Sequence, residues 1–169
     1  MEKKPYSCCH HCGMPFRREQ LCDKTIQCDA CNEFTYRNPS PVVALIIPHE
    51  GGVLTGRRGI EPRKGIIALP SGFIEHGETW QEAGAREARE EISTRIEDPN
   101  KNVRLFDVRS VNDGSMIIIY GLVVPGPHLI VDPFEPNEET LERILLFRLF
   151  TAELAFPGHE EMIRRFFAL

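Results

Sequence analysis

Residues 72–94 form the most informative segment of the chain and read GFIEHGETWQEAGAREAREEIST. It carries three glutamates, Glu87, Glu90 and Glu91, at relative positions 0, +3 and +4. On an α-helix this spacing places all three carboxylates on one stripe, one turn apart. Such a stripe is either a solvated helix face or a binding site for divalent cations.

The neighbours of the three glutamates bear on that choice. A solvated face usually has lysine or arginine four residues after a glutamate, whereas here Glu87 is followed at that distance by Glu91. Two carboxylates about 5–6 Å apart repel by up to about 3 kcal/mol at an effective dielectric near 20. Ala83 and Gly84 lie on the same stripe and leave space beside the acids. Hard oxygen ligands in this arrangement suit Mg2+ or Mn2+, although the spacing alone leaves both interpretations open.

Residues 79–92 are predicted to form a helix, with Thr79 as the N-cap and Glu82 completing a capping box. Elsewhere, apolar runs bounded by turn residues predict strands. These strands are expected at residues 42–47, 51–59, 65–73, 103–111, 115–124 and 142–150, and an amphipathic helix at 158–169. Because strands and helices are mixed along the chain, the predicted class is α/β or α+β with a mixed sheet.

The composition is that of an ordinary soluble protein with enough apolar residues for a core. The chain has 169 residues, a formal net charge of -5 and a pI of about 5.7. This charge argues against sequence-independent binding of nucleic acid, although a local basic patch stays compatible with it. No apolar run is long enough for a membrane span, and the N-terminus lacks the apolar segment of a secretory signal. A cytoplasmic location is therefore expected.

All six cysteines lie at or before Cys31, and four of them form two CxxC pairs. The pairs are Cys9/Cys12 and Cys28/Cys31, and their separation is typical of a four-cysteine zinc site. Rival ligands are Cys8, His10, His11 and Cys22. The alternatives to a zinc site are two disulfides or free thiols.

Two arguments favour zinc bound by the two CxxC pairs. Gly13 and Asn32 directly follow the pairs, and both residue types tolerate a positive φ, which lets the chain turn back under a metal ion. A segment of about 30 residues cannot bury enough apolar surface to fold stably without a bound metal ion or a covalent cross-link. A shell of four sulfurs leaves no open position, so the zinc is expected to be structural. The predicted domains are a zinc ribbon at 1–37 and a second domain at 38–169.

Residues 72–94 resemble the Nudix box, G-x5-E-x7-R-E-U-x-E-E-x-G-U, where U is a bulky aliphatic residue. The matching positions are Gly72, Glu78, Arg86, Glu87, Glu90 and Glu91, and the departures are Ala88, Ser93 and Thr94. With the cysteine segment and the stretches YRNPSPVV and RRGIEPRKG, most of the chain is similar to the ribbon-bearing Nudix pyrophosphatases that act on NADH, FAD or ADP-ribose. The resemblance implies a mixed sheet sandwiched between helices.

The resemblance also implies roles for individual residues. Glu87, Glu90 and Glu91 would ligate Mg2+ or Mn2+, helped by the carbonyl of Gly72. Glu78 would pair with Arg86 and fix the loop against the helix. Glu90 or Glu91 would act as the catalytic base, unless a distal loop acid does so. The candidates for that loop acid are Glu138, Glu139 and Glu142, of which Glu139 is favoured.

The substrate implied by the resemblance is a small nucleoside diphosphate linked to another moiety, and the sequence leans to FAD or ADP-ribose. Arg57, Arg58, Arg63 and Lys64 form a basic run that could hold phosphates or could be solvated loop charges. Aromatic residues available to stack on a base are Phe34, Tyr36, Phe73 and Trp80. A homodimer is compatible with the resemblance. The alternative function is a non-catalytic binding module whose ribbon contacts RNA or protein.

Overall fold

The computed structural model describes residues 7–169. Residues 1–6, where the predicted ribbon domain begins, lie outside the described residues. The chain forms two compact units, Met1–Pro39 and Ser40–Leu169. The break falls between Pro39 and Pro41, whose fixed φ angles make this segment stiff and extended.

The smaller unit is built on one short hairpin. Strand β1 (Thr25–Gln27) pairs antiparallel with β2 (Phe34–Tyr36), and the buried side chains of Ile26 and Thr35 lie opposite each other. A short 3-10 turn at Gln20–Cys22 precedes the hairpin. Among the described residues of this unit, the buried apolar side chains are those of Cys9, Ile26 and Cys28. So small a core fits the expectation that this segment needs a bound metal ion or a covalent cross-link to fold stably.

The larger unit contains nine strands and three helices. The strands are β3 (Ser40–His49), β4 (Gly52–Arg58), β5 (Ile67–Ala68), β6 (Ser71–Phe73), β7 (Thr94–Ile96), β8 (Val103–Ser110), β9 (Met116–Val123), β10 (Leu129–Val131) and β11 (Thr140–Leu146). The helices are α1 (Trp80–Ile92), α2 (Pro99–Asn102) and α3 (Pro157–Phe167). Within the described residues no helix is both long and apolar enough to cross a membrane.

The central sheet is mixed, as predicted. Its strand order is β11-β4-β3-β9-β8, with β5 paired to β4 and β6 paired to β3. Strands β3 and β9 run parallel, whereas the other pairs in this sheet run antiparallel. A separate antiparallel pair joins β7 to β10.

Strand β3 supplies side chains to both faces of the sheet, because successive residues of a strand point to opposite sides. Val43, Leu45 and Ile47 pack in one cluster with Ala88 and Ile92 of α1. Ala44 and Ile46 belong to a second cluster that contains Met162 and Ile163 of α3. The sheet therefore lies between α1 and α3, and the sandwich of helices and mixed sheet is confirmed.

Helix α1 begins and ends with identifiable caps. The side chain of Thr79 accepts a hydrogen bond from the amide of Glu82, and the Glu82 carboxylate accepts from the amide of Thr79 at 2.8 Å. The predicted capping box is confirmed. The helix ends at Ser93, which has φ 51° and ψ 45°, a left-handed conformation that usually selects glycine.

The structure differs from the strand predictions in three places. The short strand predicted within 65–73, ending in a Pro/Gly turn, is present as β5, but the residues after the turn form a second strand, β6, which was not predicted and pairs with a different neighbour. The strand predicted at 142–150 starts earlier and ends earlier, at Thr140–Leu146. Strands β1, β2, β7 and β10 were not predicted, because three residues are too few to show an alternating pattern.

Candidate active site

Three carboxylates converge at one end of the larger unit. Carboxylate oxygens of Glu87, Glu91 and Glu139 all lie within 4.8 Å of one another. Helix α1 supplies Glu87 and Glu91, while Glu139 lies directly before β11. Glu87 is only 8% exposed, whereas Glu139 is exposed. We refer to these three residues as the acidic cluster.

Glu91 is held by the backbone of the turn between β5 and β6. The amide of Ser71 donates to Glu91 Oε2 at 2.9 Å. Burial raises the pKa of the Glu91 carboxyl to about 8, and the nearby charges of Glu87 and Glu139 act in the same direction. The positive charge of Arg58 opposes them. Without a cation, Glu91 is therefore largely protonated at neutral pH.

Glu87 lies against Arg86 and Gly72. Its Oε1 accepts from Arg86 Nη1 at 2.7 Å, while burial raises the pKa of the Glu87 carboxyl. A Cβ atom added to Gly72 would lie 2.0 Å from Glu87 Oε1, so any side chain there would displace the carboxylate. Gly72 is paired with Val43 in the sheet and cannot easily move away. The first glycine of the box is thus required by close packing against an acid.

Arg86 also ties the loop before α1 to the helix. Its Nη2 and Nε donate to the two carboxylate oxygens of Glu78 at 2.8 and 3.2 Å, and its Nη2 donates to the carbonyl of Phe73 at 3.0 Å. The Arg86 guanidinium lowers the pKa of the Glu78 carboxyl. This bidentate geometry fixes orientation as well as distance.

Glu90 is the member of the predicted triplet that lies outside the acidic cluster. Its Oε2 is 3.3 Å from Arg86 Nη1, its Oε1 is 3.8 Å from Arg89 Nη2, and its side chain is 48% exposed. The three-glutamate stripe is therefore divided: Glu87 and Glu91 face the cluster, and Glu90 faces two arginines. The third acid comes instead from Glu139, the favoured loop candidate.

The other loop acid and the predicted phosphate-binding arginines make contacts of their own. Glu142 is not in the cluster and pairs with Arg57 at 2.9 Å. Arg63 pairs with Glu153 at 3.6 Å. Arg58 donates to the carbonyl of Pro62 at 2.8 Å, and its charge acts on Glu91. Of the three predicted phosphate-binding arginines, Arg58 is the one whose charge acts on the acidic cluster.

The predicted aromatic candidates lie in different surroundings. Trp80 is partly buried against the core cluster below α1, so it is not free to stack on a base. Phe73 is 58% exposed at the end of β6. Phe34 and Tyr36 are exposed in the smaller unit, with ring centroids 6.5 Å apart.

A cavity of about 400 Å3 lies on a different face of α1 from the acidic cluster. It is lined by Glu82, Ala85, Arg86, Arg89, Arg95, Ile96, Glu97 and Pro99. None of the three clustered acids lines it, so the concavity and the convergent carboxylates are separate features. The convergence of charge identifies the candidate active site better than this cavity does.

The four predicted cysteine ligands also converge. Sγ atoms of Cys9, Cys12, Cys28 and Cys31 all lie within 4.8 Å of one another. The Cys9–Cys31 and Cys12–Cys28 sulfur distances are 3.7 and 3.6 Å. Four Zn–S bonds of about 2.3 Å in a tetrahedron place sulfurs about 3.8 Å apart, whereas a disulfide requires about 2.05 Å. The sulfur spacing suits a tetrahedral zinc site better than two disulfides.

Three residues that help to build the acidic cluster were not predicted: Ser71, Gly59 and Asn137. Ser71 acts through its backbone amide, which no sequence pattern reveals. Gly59 donates its amide to the carbonyl of Glu139 at 2.7 Å. Asn137 could be recognised from local sequence, because an asparagine side chain commonly accepts a hydrogen bond from the backbone amide two residues later, in an Asx turn.

The donor chemistry of the cluster suits a hard divalent cation. Three carboxylates so close together repel one another, and partial burial strengthens that repulsion. Mg2+ and Mn2+ prefer such oxygen ligands, and a bound cation would offset both the repulsion and the desolvation.

Known proteins resemble this chain in sequence and in fold. A model of the family described as NUDIX domain matches residues 37–166. An "NAD-capped RNA hydrolase NudC" from Salmonella heidelberg (strain SL476) is 31% identical over 96 residues, which is 57% of this chain and 35% of that protein. The match thus spans about a third of the length of that curated relative.

Solved structures share the fold over more of the chain. A NUDIX hydrolase from Nitrosomonas europaea aligns with a TM-score of 0.69 at 25% identity, covering 96% of this chain and 90% of that chain. A bifunctional NMN adenylyltransferase/ADP ribose pyrophosphatase from Francisella tularensis aligns with a TM-score of 0.63 at 20% identity. The alignment covers 79% of this chain and 42% of that chain.

Proposed function

The chain belongs to the Nudix hydrolase family, and from that premise we propose that it cleaves the diphosphate of a nucleoside diphosphate linked to another moiety. The substrate class is that of FAD, ADP-ribose or NADH, and the reaction is attack of water in the presence of Mg2+ or Mn2+. The observation that carries this proposal is the convergence of Glu87, Glu91 and Glu139 within 4.8 Å.

In this proposal Glu87, Glu91 and Glu139 hold the divalent ions, with the Gly72 carbonyl beside them. The bound ions would neutralise charge on the diphosphate and activate the attacking water. Glu90 is kept as a further ligand, because it shares Arg86 with Glu87 and its half-exposed side chain is free to turn when cations bind. Arg86 and Glu78 keep the loop and the helix in register.

Glu139 is our preferred catalytic base, through the carboxylate oxygen that does not hold an ion, with Glu90 and Glu91 as the alternatives. Glu139 is exposed, so a water molecule can reach its carboxylate, whereas Glu91 is half-buried and bound to the Ser71 amide. A base must lie within hydrogen-bond reach of the attacking water. Arg58 is the proposed phosphate-binding residue, since its charge already acts on Glu91.

The choice of substrate rests on family relationship. Because some relatives are described as NAD-capped RNA hydrolases, the proposed substrate class includes NAD-containing molecules and RNA that carries an NAD cap. The prediction from net charge, that the chain does not bind nucleic acid independently of sequence, is not tested by these relatives. The smaller unit is proposed to be a structural zinc ribbon, covering residues 1–37, on a hydrolase domain covering 38–169.

The test is a product screen over FAD, ADP-ribose, NADH, CoA, dinucleoside polyphosphates and an NAD-capped RNA, each with Mg2+ or Mn2+. We expect AMP and the complementary phosphorylated half from at least one adenosine-containing substrate, and no turnover in excess EDTA. The Glu91→Gln variant is the control for contaminating hydrolases.

Two outcomes would overturn the proposal. Turnover in excess EDTA would show that the reaction does not need divalent ions. Absence of turnover on every substrate, with the unaltered chain folded, would favour a binding module instead.

A further inference from the structure

Asn137 joins three backbone groups around the acidic cluster. Its Oδ1 accepts hydrogen bonds from the amides of Glu139 at 2.9 Å and Thr140 at 2.8 Å. Its Nδ2 donates to the carbonyl of Glu90 at 3.0 Å. One amide side chain thus fixes the turn that carries Glu139 and links that turn to α1.

The opposite side of the same turn is fixed by Gly59, directly after β4. The Gly59 amide donates to the carbonyl of Glu139 at 2.7 Å. A Cβ atom at Gly59 would lie 2.2 Å from the carbonyl oxygen of Glu138, so the two segments pass in direct contact. The backbone of Glu139 is consequently held between the end of β4 and the side chain of Asn137.

This support is needed because the electrostatics of the cluster favour release of the loop. Residues 135–139 are all exposed, so little apolar burial keeps the segment in place. The Glu139 carboxylate lies within 4.8 Å of that of Glu87, and these two acids repel each other when both are ionised and no cation is bound. The hydrogen bond from Asn137 to Glu90 counters that repulsion, since Glu90 directly precedes Glu91 on α1.

We propose that Asn137 is a positioning residue, which holds Glu139 against Glu87 and Glu91 so that the three carboxylates bind divalent ions together. The proposal rests on the proposed function of this site. Asn137 touches neither substrate nor ions in it, and acts only through Glu139.

The matched variants are Asn137→Ala and Asn102→Ala. Asn102 is also an asparagine whose Nδ2 donates to a backbone carbonyl, that of Glu97 at 2.7 Å, and it lies away from the acidic cluster. Circular dichroism and thermal melting would establish that both variants are folded. Binding of Mn2+ alone is then measured by calorimetry, and amide hydrogen exchange by NMR at Glu139 and Thr140.

For Asn137→Ala we expect Mn2+ affinity to fall about tenfold or more, as is usual for residues that orient a ligand. The amides of Glu139 and Thr140 should exchange faster, and kcat should fall more than KM rises. The double variant Asn137→Ala/Glu139→Gln should be no less active than Glu139→Gln alone. Asn102→Ala should leave Mn2+ affinity and kcat unchanged.

Unchanged Mn2+ affinity in Asn137→Ala, unchanged amide exchange, or losses that multiply in the double variant would each overturn this inference. All three leave the hydrolase assignment intact. Failure of the unaltered chain to bind Mn2+ would overturn the proposed function as well, which distinguishes the two failures.

Discussion

Glu91 and Glu139 hold carboxylate oxygens within 4.8 Å of each other, although one lies on α1 and the other on the loop before β11. Glu87 lies within the same distance of both. The folded chain has brought together acids that repel one another and that burial tends to protonate. A site of this kind lowers the stability of the metal-free protein and favours cation binding, and both effects can be measured.

Replacing Glu91 with glutamine should separate stability from activity. The folded-state pKa of Glu91 is raised to about 8, so the folded metal-free chain binds more protons than the unfolded chain, and stability is lost as pH rises from about 4.5 through 8. Glutamine removes that loss and can still accept from Ser71. Metal-free Glu91→Gln should therefore be more stable than the unaltered chain at pH 8, and the difference should shrink as the pH falls toward 4.5, as measured by urea denaturation.

The same variant should lose hydrolysis by about a hundredfold or more. Its melting temperature should respond less to Mg2+, because binding to the folded state is weaker. Near-normal turnover in Glu91→Gln would show that the acidic cluster is not the catalytic site.

Glu139→Gln should lower turnover by about a hundredfold, because it removes one member of the cluster. The neighbouring Glu138→Gln is a matched control, since Glu138 is equally exposed but lies outside the acidic cluster. Steady-state rates of the two variants with Mn2+ provide the comparison. Equal effects of both changes would mean that the loop contributes only general negative charge.

Ser93→Gly should stabilise the protein by about 0.5–1 kcal/mol. Ser93 has φ 51° at the end of α1, where a side chain strains the backbone and glycine does not. The control is Ser110→Gly at the end of β8, where glycine should destabilise because the backbone is extended. Chemical denaturation measures both. A loss of stability in Ser93→Gly would show that contacts of the serine outweigh its strain.

The smaller unit should contain about one zinc ion per chain by elemental analysis. Cys12→Ser should lose it, because Cys12 Sγ lies 3.6 Å from Cys28 Sγ. Cys8→Ser and Cys22→Ser should retain it, since neither sulfur belongs to the converging set. Loss of zinc from either control variant would refute the assigned ligands.

His159 should make the protein less stable in acid. Its imidazole is 3% exposed, and its Nδ1 accepts from the amide of Leu69 at 3.1 Å. Burial lowers the pKa of His159 from 6.5 to about 3, so the unfolded chain binds more protons in that window. Stability is therefore present above pH 6.5 and is lost as pH falls toward 3, by up to about 1.4 kcal/mol per pH unit.

The measurement is urea denaturation at several pH values for His159→Gln and for the control His76→Gln, which changes an exposed histidine. The first variant should show a flatter dependence of stability on pH below 6.5, and the second should match the unaltered chain. An unchanged slope in His159→Gln would assign the acid sensitivity to other groups.

Helix α1 and the two CxxC pairs can be recognised from local sequence. The capping box at Thr79 and Glu82, the apolar face with Ala88 and Ile92, and the spacing of the glutamates all involve neighbours a few residues apart. Interactions of that range are set by helix geometry, which a sequence displays directly. The same holds for the resemblance to the Nudix box, whose fixed residues are close together.

Which acids converge depends on contacts between distant parts of the chain. Pairing of Thr140 with Arg58 in the sheet brings the residue before β11, Glu139, beside Gly59 at the end of β4. Glu90 has the right helical spacing but faces Arg86 instead. The physical reason is that positions on a helix follow from local periodicity, whereas the meeting of a loop with a helix depends on strand register across the whole sheet.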